Sequence, residues 1–129
     1  MMENEIVALK TLDHPNIVKV IEFFQDREHF FIVTEFVGGG DLYQRIVRKR
    51  VFREAEAAFI MRQVLSAVHY YHQKKIIHRD LKPENIMLAA DESLCVKIID
   101  FGCARLFDPT VKLKTRIGTT YYIAPEVLK

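Results

Sequence analysis

The 129-residue chain has little cysteine, no marked excess of either charge and no long apolar run, and each shortage closes off a class of protein. Its two cysteines, Cys95 and Cys103, lack zinc-ligand spacing and are too few for an extracellular disulfide scaffold, so both are read as reduced. Nineteen Lys and Arg against seventeen Asp and Glu leave a formal net charge of +2, too near balance to draw nucleic acid or an anionic membrane. Any anion must therefore be recognised locally. The densest apolar run, FFIVTEFV, is interrupted by Glu35 and is far too short to span a bilayer. The N-terminal MMENEIVALK has neither an apolar h-region nor a small-residue cleavage site, so a soluble, intracellular, cytoplasmic protein is expected. No internal repeat or low-complexity tract is present.

Half of the residues are hydrophobic, enough for the core of one modest domain. Ile6, Leu9 and Leu12 recur every three residues, which predicts a short helix over 3–12, stopped by DHPN. IVKVIEFF and HFFIVTEF are β-branched and aromatic and flank the charged QDRE, the pattern of a β-hairpin. Gly38 to Gly40 release the chain, and Asp41 suits the N-cap of a helix carrying Leu42, Ile46 and Val47. The longest helix is predicted over 54–73, with an apolar stripe of Phe59, Ile60, Val64, Ala67, Val68 and Tyr71 that other helices are expected to cover. Short strands are predicted over 86–88 and 96–99, joined by the turn ADES.

Two smaller features have plain readings. Cys103 follows a polar stretch and would suit a reactive thiol, but a small buried side chain is the simpler account. His69 and His72 share a helix face, yet no third ligand lies near in sequence, so a wet helix surface is preferred to a metal site.

Three polar clusters carry the functional signal: HRDLKPEN at 78–85, DFG at 100–102 directly after a strand, and GTTYYIAPE at 118–126. DFG alone is a tripeptide that chance supplies often. Placed twenty residues after Asp80, with APE beginning at Ala124, it is hard to attribute to chance. The ordered set resembles the eukaryotic protein kinase family, and KPEN after HRDL resembles its serine/threonine branch. LDHPNIVKV, EFVGGGDL and GTTYYIAPEVL are most similar to the calcium-dependent and calmodulin-dependent kinases. The resemblance implies an α+β, partial protein-kinase-like fold, with a partial N-lobe over 1–37 and a partial C-lobe over 38–129.

It also implies ATP and Mg2+ as cofactors and a protein substrate with a serine or threonine acceptor. Phosphoryl transfer needs an aimed nucleophile and cations on the phosphates more than it needs covalent help. Asp80 is then expected to orient the hydroxyl and take its proton, and Lys82 to reach the phosphoryl group as a point charge. Asn85 and Asp100 would offer oxygens to magnesium. Phe101 and Gly102 would let the Asp100 carboxylate move in or out of the site. Thr119, by resemblance, bridges Asp80 and Lys82, and Arg79 pairs with a phosphorylated Thr115. An ordinary loop threonine is the plain reading of Thr115. Around the nucleotide, Glu35 and Val37 would contribute backbone groups, Thr34 would guard the back of the pocket and Met87 would supply its floor. Asp41 and Glu84 resemble positions facing the ribose or an arginine upstream of the target residue, against helix capping and loop solvation as the simpler roles.

A dinucleotide-binding turn is the competing reading of FVGGGDL, but its glycines do not fit G-x-G-x-x-G and no acidic residue closes a strand about twenty positions on. The resemblance further implies a glycine-rich loop and a lysine strand before Met1, the lysine pairing with Glu5, and covering helices after Lys129. The chain is thus expected to be the middle of a kinase domain, with calcium-sensing modules possible outside it. Two hypotheses follow: a fragment of an active kinase, or a kinase-like binding module without catalysis. The isolated residues are expected to be poorly stable and inactive on their own.

Overall fold

A computed structural model describes residues 3–129. Helix α1 spans Glu3–Lys10, two residues shorter than its pattern predicts. Thr11 turns its hydroxyl back to the Ala8 carbonyl at 2.6 Å, which closes the helix while Leu12 still reaches the core. The hairpin pairs β1, Val20–Gln25, with β2, Phe30–Thr34, antiparallel from Val20↔Thr34 to Gln25↔Phe30. Asp26 makes the turn, its carboxylate accepting from the amides of Glu28 and His29 at 2.8 and 2.6 Å.

The predicted first strand is therefore too long at its start. Ile17 and Val18 leave the hairpin: Ile17 forms a parallel bridge with Ile98, and the Val18 amide donates to the Ile98 carbonyl at 3.0 Å. One β-branched run serves two partners.

Helix α2, Leu42–Lys49, is capped by Asp41, whose Oδ1 accepts from the Gln44 amide at 2.8 Å. Its inner face is Leu42 and Arg45, whereas Ile46 and Val47 are exposed. Of the three apolar residues chosen from sequence, Leu42 is thus buried and Ile46 and Val47 lie on the outer side. Helix α3, Glu54–Gln73, starts with Glu56 reaching back to accept from the Arg53 amide at 3.0 Å, and an ion pair between Lys49 and Glu56 ties it to α2.

Of the predicted stripe, Ile60, Val64, Ala67 and Tyr71 are buried, Val68 is half-buried and Phe59 is 44% exposed. Strands cover its buried side: α3 packs on β3, Ile76–Ile77, and on β5, Val96–Ile98. Residues at 60, 64, 67 and 71 share one side of a 3.6-residue period, and Phe59 falls outside that arc.

β5 pairs antiparallel with β4, Ile86–Leu88, and β3 pairs antiparallel with β6, Arg105–Leu106. The pair β3–β6 is absent from the sequence reading because two residues per strand leave no period to detect. One core joins Leu9, Leu12 and Ile17 to Ile60, Val64, Tyr71, Ile86, Leu88, Ile98 and Phe101. No helix among the described residues is long and apolar enough to cross a membrane.

Candidate active site

The loop 78–85 joins β3 to β4, with a 3₁₀ turn over Pro83–Asn85. His78 anchors it. The ring is 2% exposed, its Nε2 lies 2.9 Å from the Ile99 carbonyl, and the Asp80 amide donates to its Nδ1 at 3.1 Å. An acceptor on one nitrogen and a donor on the other assign the neutral Nε2–H tautomer. Burial pushes the His78 pKa below its ordinary 6.5, opposed by the bond to Ile99 and by the charges of Asp100 and Asp80.

A depressed histidine pKa means that the unfolded chain takes up a proton first as pH falls. The stability His78 contributes is complete above its unfolded value and is lost from about pH 6.5 downward toward its folded value. His14 and His72, also pushed down by burial, act in the same direction. Denaturant unfolding from pH 8 to pH 5 is expected to show stability falling below about pH 6.5, and NMR to show the His78 ring neutral at that pH. A His78 that titrates at or above its ordinary value would refute this.

Beyond His78 the backbone turns sharply, with Arg79 at φ +71°, and the Arg79 Nε donates to the Cys103 carbonyl at 2.6 Å. The turn brings Asp80 and Lys82 to one side. Thr119 reaches them from the far segment: its hydroxyl donates to Asp80 Oδ1 at 2.6 Å and accepts from Lys82 Nζ at 2.6 Å. Lys82 Nζ also lies 3.6 Å from Asp80 Oδ2. The Asn85 side chain donates from Nδ2 to the Asp80 carbonyl at 2.8 Å, which holds Asn85 under the same loop. Gly118, at φ +144°, permits the approach of Thr119, since a Cβ there would lie 3.4 Å from the Arg79 carbonyl and 3.2 Å from Ile123.

Asp100 lies exposed at φ +57°, and Phe101 behind it is 4% exposed. The Phe101 ring meets His78 at 4.7 Å and the edge of Tyr71 at 5.8 Å. Asp100 also lines a cavity of about 380 Å³ together with Thr34, Glu35, Val37, Met87 and aliphatic residues such as Val18, Val20 and Ile99. Lys97 reaches Glu35 Oε1 at 2.6 Å, and the Lys19 amide donates to the same oxygen at 3.1 Å. These contacts, the Lys97 hydrogen bond first, hold the Glu35 carboxyl below its usual range.

The model of the family described as Protein kinase domain matches residues 1–129. The chain belongs to the protein kinase family. It is 47% identical over 126 residues to calcium-dependent protein kinase 4 of Plasmodium berghei, covering 96% of this chain and 24% of that one. It is 46% identical over 128 residues to calcium/calmodulin-dependent protein kinase type 1 of Macrobrachium nipponense, covering 98% and 37%. To a probable myosin light chain kinase of Dictyostelium discoideum it is 46% identical over 127 residues, covering 98% and 41%. The chain thus spans between about a quarter and two fifths of the length of these relatives.

Within this kinase chain the structure brings Asp80, Lys82, Asn85 and Thr119 together, and sets Thr34, Glu35, Val37, Met87 and Asp100 around one cavity. Other residues named from sequence stand apart. Asp41 does not line that cavity and spends one carboxylate oxygen as the N-cap of α2. Glu5 is half-buried in α1 and also lies outside the cavity lining. Glu84 keeps one carboxylate oxygen, Oε1, buried and without a hydrogen-bond partner. Thr115 is exposed and lines, with Arg79, a second concavity of about 610 Å³. Both cysteines are free, Cys103 half-buried and Cys95 exposed.

Sequence reasoning missed the Glu35–Lys97 pair and the support of Tyr71 under Phe101. A signal for the first was present, since Lys97 alternates with the buried Val96 and Ile98 and so must face the other side of β5.

Proposed function

We propose that the protein containing this chain transfers the γ-phosphoryl group of ATP to a serine or threonine hydroxyl of a protein. The hydrogen-bonded chain Asp80–Thr119–Lys82 carries this reading, because it sets a carboxylate beside an ammonium with both held by one hydroxyl. Asp80 Oδ1 is occupied by Thr119, so Oδ2 is the atom that orients the incoming hydroxyl and receives its proton. Lys82, already drawn toward that oxygen, supplies positive charge where the transferred group gains negative charge.

The cavity beneath β1 and β2 is apolar enough for an adenine, with Met87 as floor and the backbone of Glu35 and Val37 along one wall. Asp100 at its edge and the amide oxygen of Asn85, whose nitrogen serves Asp80, are the hard donors that suit Mg2+. Bound there, ATP with Mg2+ would supply the phosphoryl group and neutralise its charge. Residues 1–37 and 38–129 act as the two lobes between which the nucleotide sits. A phosphate on Thr115 would meet the remaining donors of Arg79, and calcium control would come from modules outside this chain.

Glu84 supports a basic substrate. Its Oε1 has no hydrogen-bond partner within the chain, and a substrate arginine is a cation that pairs with such a carboxylate. With a peptide library carrying serine, threonine or tyrosine acceptors, we expect the first two alone to be phosphorylated, with a gain from arginine three positions before the acceptor. Glu84→Gln is expected to reduce that gain roughly tenfold, the scale of one charged hydrogen bond. Transfer to tyrosine would overturn the serine/threonine reading, and a library indifferent to arginine would overturn the role of Glu84. Nucleotide binding with no transfer by the full-length protein would favour the non-catalytic kinase-like module.

A further inference from the structure

The buried arginine of α2 has no part in the chemistry above. Arg45 is 7% exposed, and the three hydrogen bonds of its guanidinium all end on backbone carbonyls. Nη1 donates to Ser93 at 3.0 Å, while Nη2 donates to Ala90 at 3.2 Å and to Gly39 at 3.4 Å. Two of these acceptors belong to the turn between β4 and β5, and the third to the glycine linker before α2.

The linker lies directly on β4. The Gly39 amide donates to the Leu88 carbonyl at 2.9 Å, the Leu88 amide donates to the Gly40 carbonyl at 2.8 Å, and Asp41 forms an antiparallel bridge with Met87. A Cβ at Gly39 would sit 2.5 Å from the Leu88 oxygen and 2.7 Å from the Ala90 oxygen, closer than real contacts allow. Backbone meets backbone here, and Arg45 closes over the junction from the helix side.

We propose that Arg45 is a positioning residue for the nucleotide cavity. It locks the linker 38–41 onto the β4–β5 hairpin and thereby sets the separation between the cavity wall at Glu35–Val37 and its floor at Met87. A rigid planar fork spreads its donors over carbonyls on two segments at once, whereas a lysine brings its three donors to a single point. Without the fork the linker parts from β4, the wall moves off the floor and adenine loses its close apolar fit. The inference rests on the nucleotide reading above, and the experiment separates the two.

Adenosine binding, measured without magnesium on the full-length protein, reports the cavity without the phosphate-handling loop. Arg45→Lys is expected to weaken it roughly threefold to tenfold, the worth of about one hydrogen bond, with Arg45→Gln weaker still. Affinity for a basic peptide should stay unchanged. A purely structural role would instead lower the fraction of binding-competent protein and leave the Kd for adenosine as it was, which overturns the proposal. Wild-type protein that binds no adenosine removes the nucleotide reading and this inference with it.

Should neither variant fold, amide hydrogen exchange on the wild type decides. Adenosine is expected to slow exchange at Gly39 and Leu88 and also at Ser93, on the far side of the clamp. Protection confined to residues 34–37 overturns the proposal.

Discussion

Asp80→Asn is expected to lower the phosphotransfer rate of the full-length protein by roughly 10²–10⁴, the usual worth of a positioned general base. The substitution keeps shape and one oxygen for the Thr119 hydroxyl, so the bond at 2.6 Å has an acceptor still. What it removes is the charge beside Lys82 and the oxygen proposed above to take the proton. Asp80 does not line the cavity of Thr34, Met87 and Asp100, so the KM for ATP should be nearly unchanged while kcat falls. Steady-state kinetics on a serine peptide read both constants. A rate within a factor of about three of wild type would show that Asp80 is not the base.

Tyr71→Ala should cost the fold more than any other change considered, roughly 3–5 kcal/mol by analogy with other buried aromatic truncations. Tyr71 is 2% exposed, and burial pushes its phenol up to about 12. Its ring stands edge-on to Phe101 at 5.8 Å and 6.5 Å from His78, so it supports at once the residue after Asp100 and the residue that anchors the 78–85 loop. Tyr71→Phe keeps the ring and its packing and is expected to cost less than about 1.5 kcal/mol, the ceiling for losing a single polar group. Chemical denaturation of both variants tests the pair. Equal losses would place the energy in the hydroxyl and refute the packing account.

Particular residues show how legible the molecule was. The motif clusters were readable because the family resemblance rests on fixed residue types at short spacings, and HRDLKPEN places Asp80, Lys82 and Asn85 within one loop. α3 was readable because twenty helical residues repeat their apolar period several times. Ile46, Val47 and Phe59 misled the reading for a shared reason: apolar character marks a candidate for burial, and packing decides which candidates are taken. Arg45 reverses the case, a charged side chain in the interior because three carbonyls converge on it.

By itself the sequence determined the family, the order of most elements and the candidate residues of the 78–85 loop, since periodicity and local motifs are properties of neighbours along the chain. Tertiary structure alone decided that Ile17 leaves its hairpin for Ile98, that Lys97 reaches Glu35 across sixty-two positions, and that Tyr71 stands under Phe101. Each is a contact between distant segments. Its free energy comes from burial and from hydrogen bonds completed only when the core assembles, and no local pattern records it.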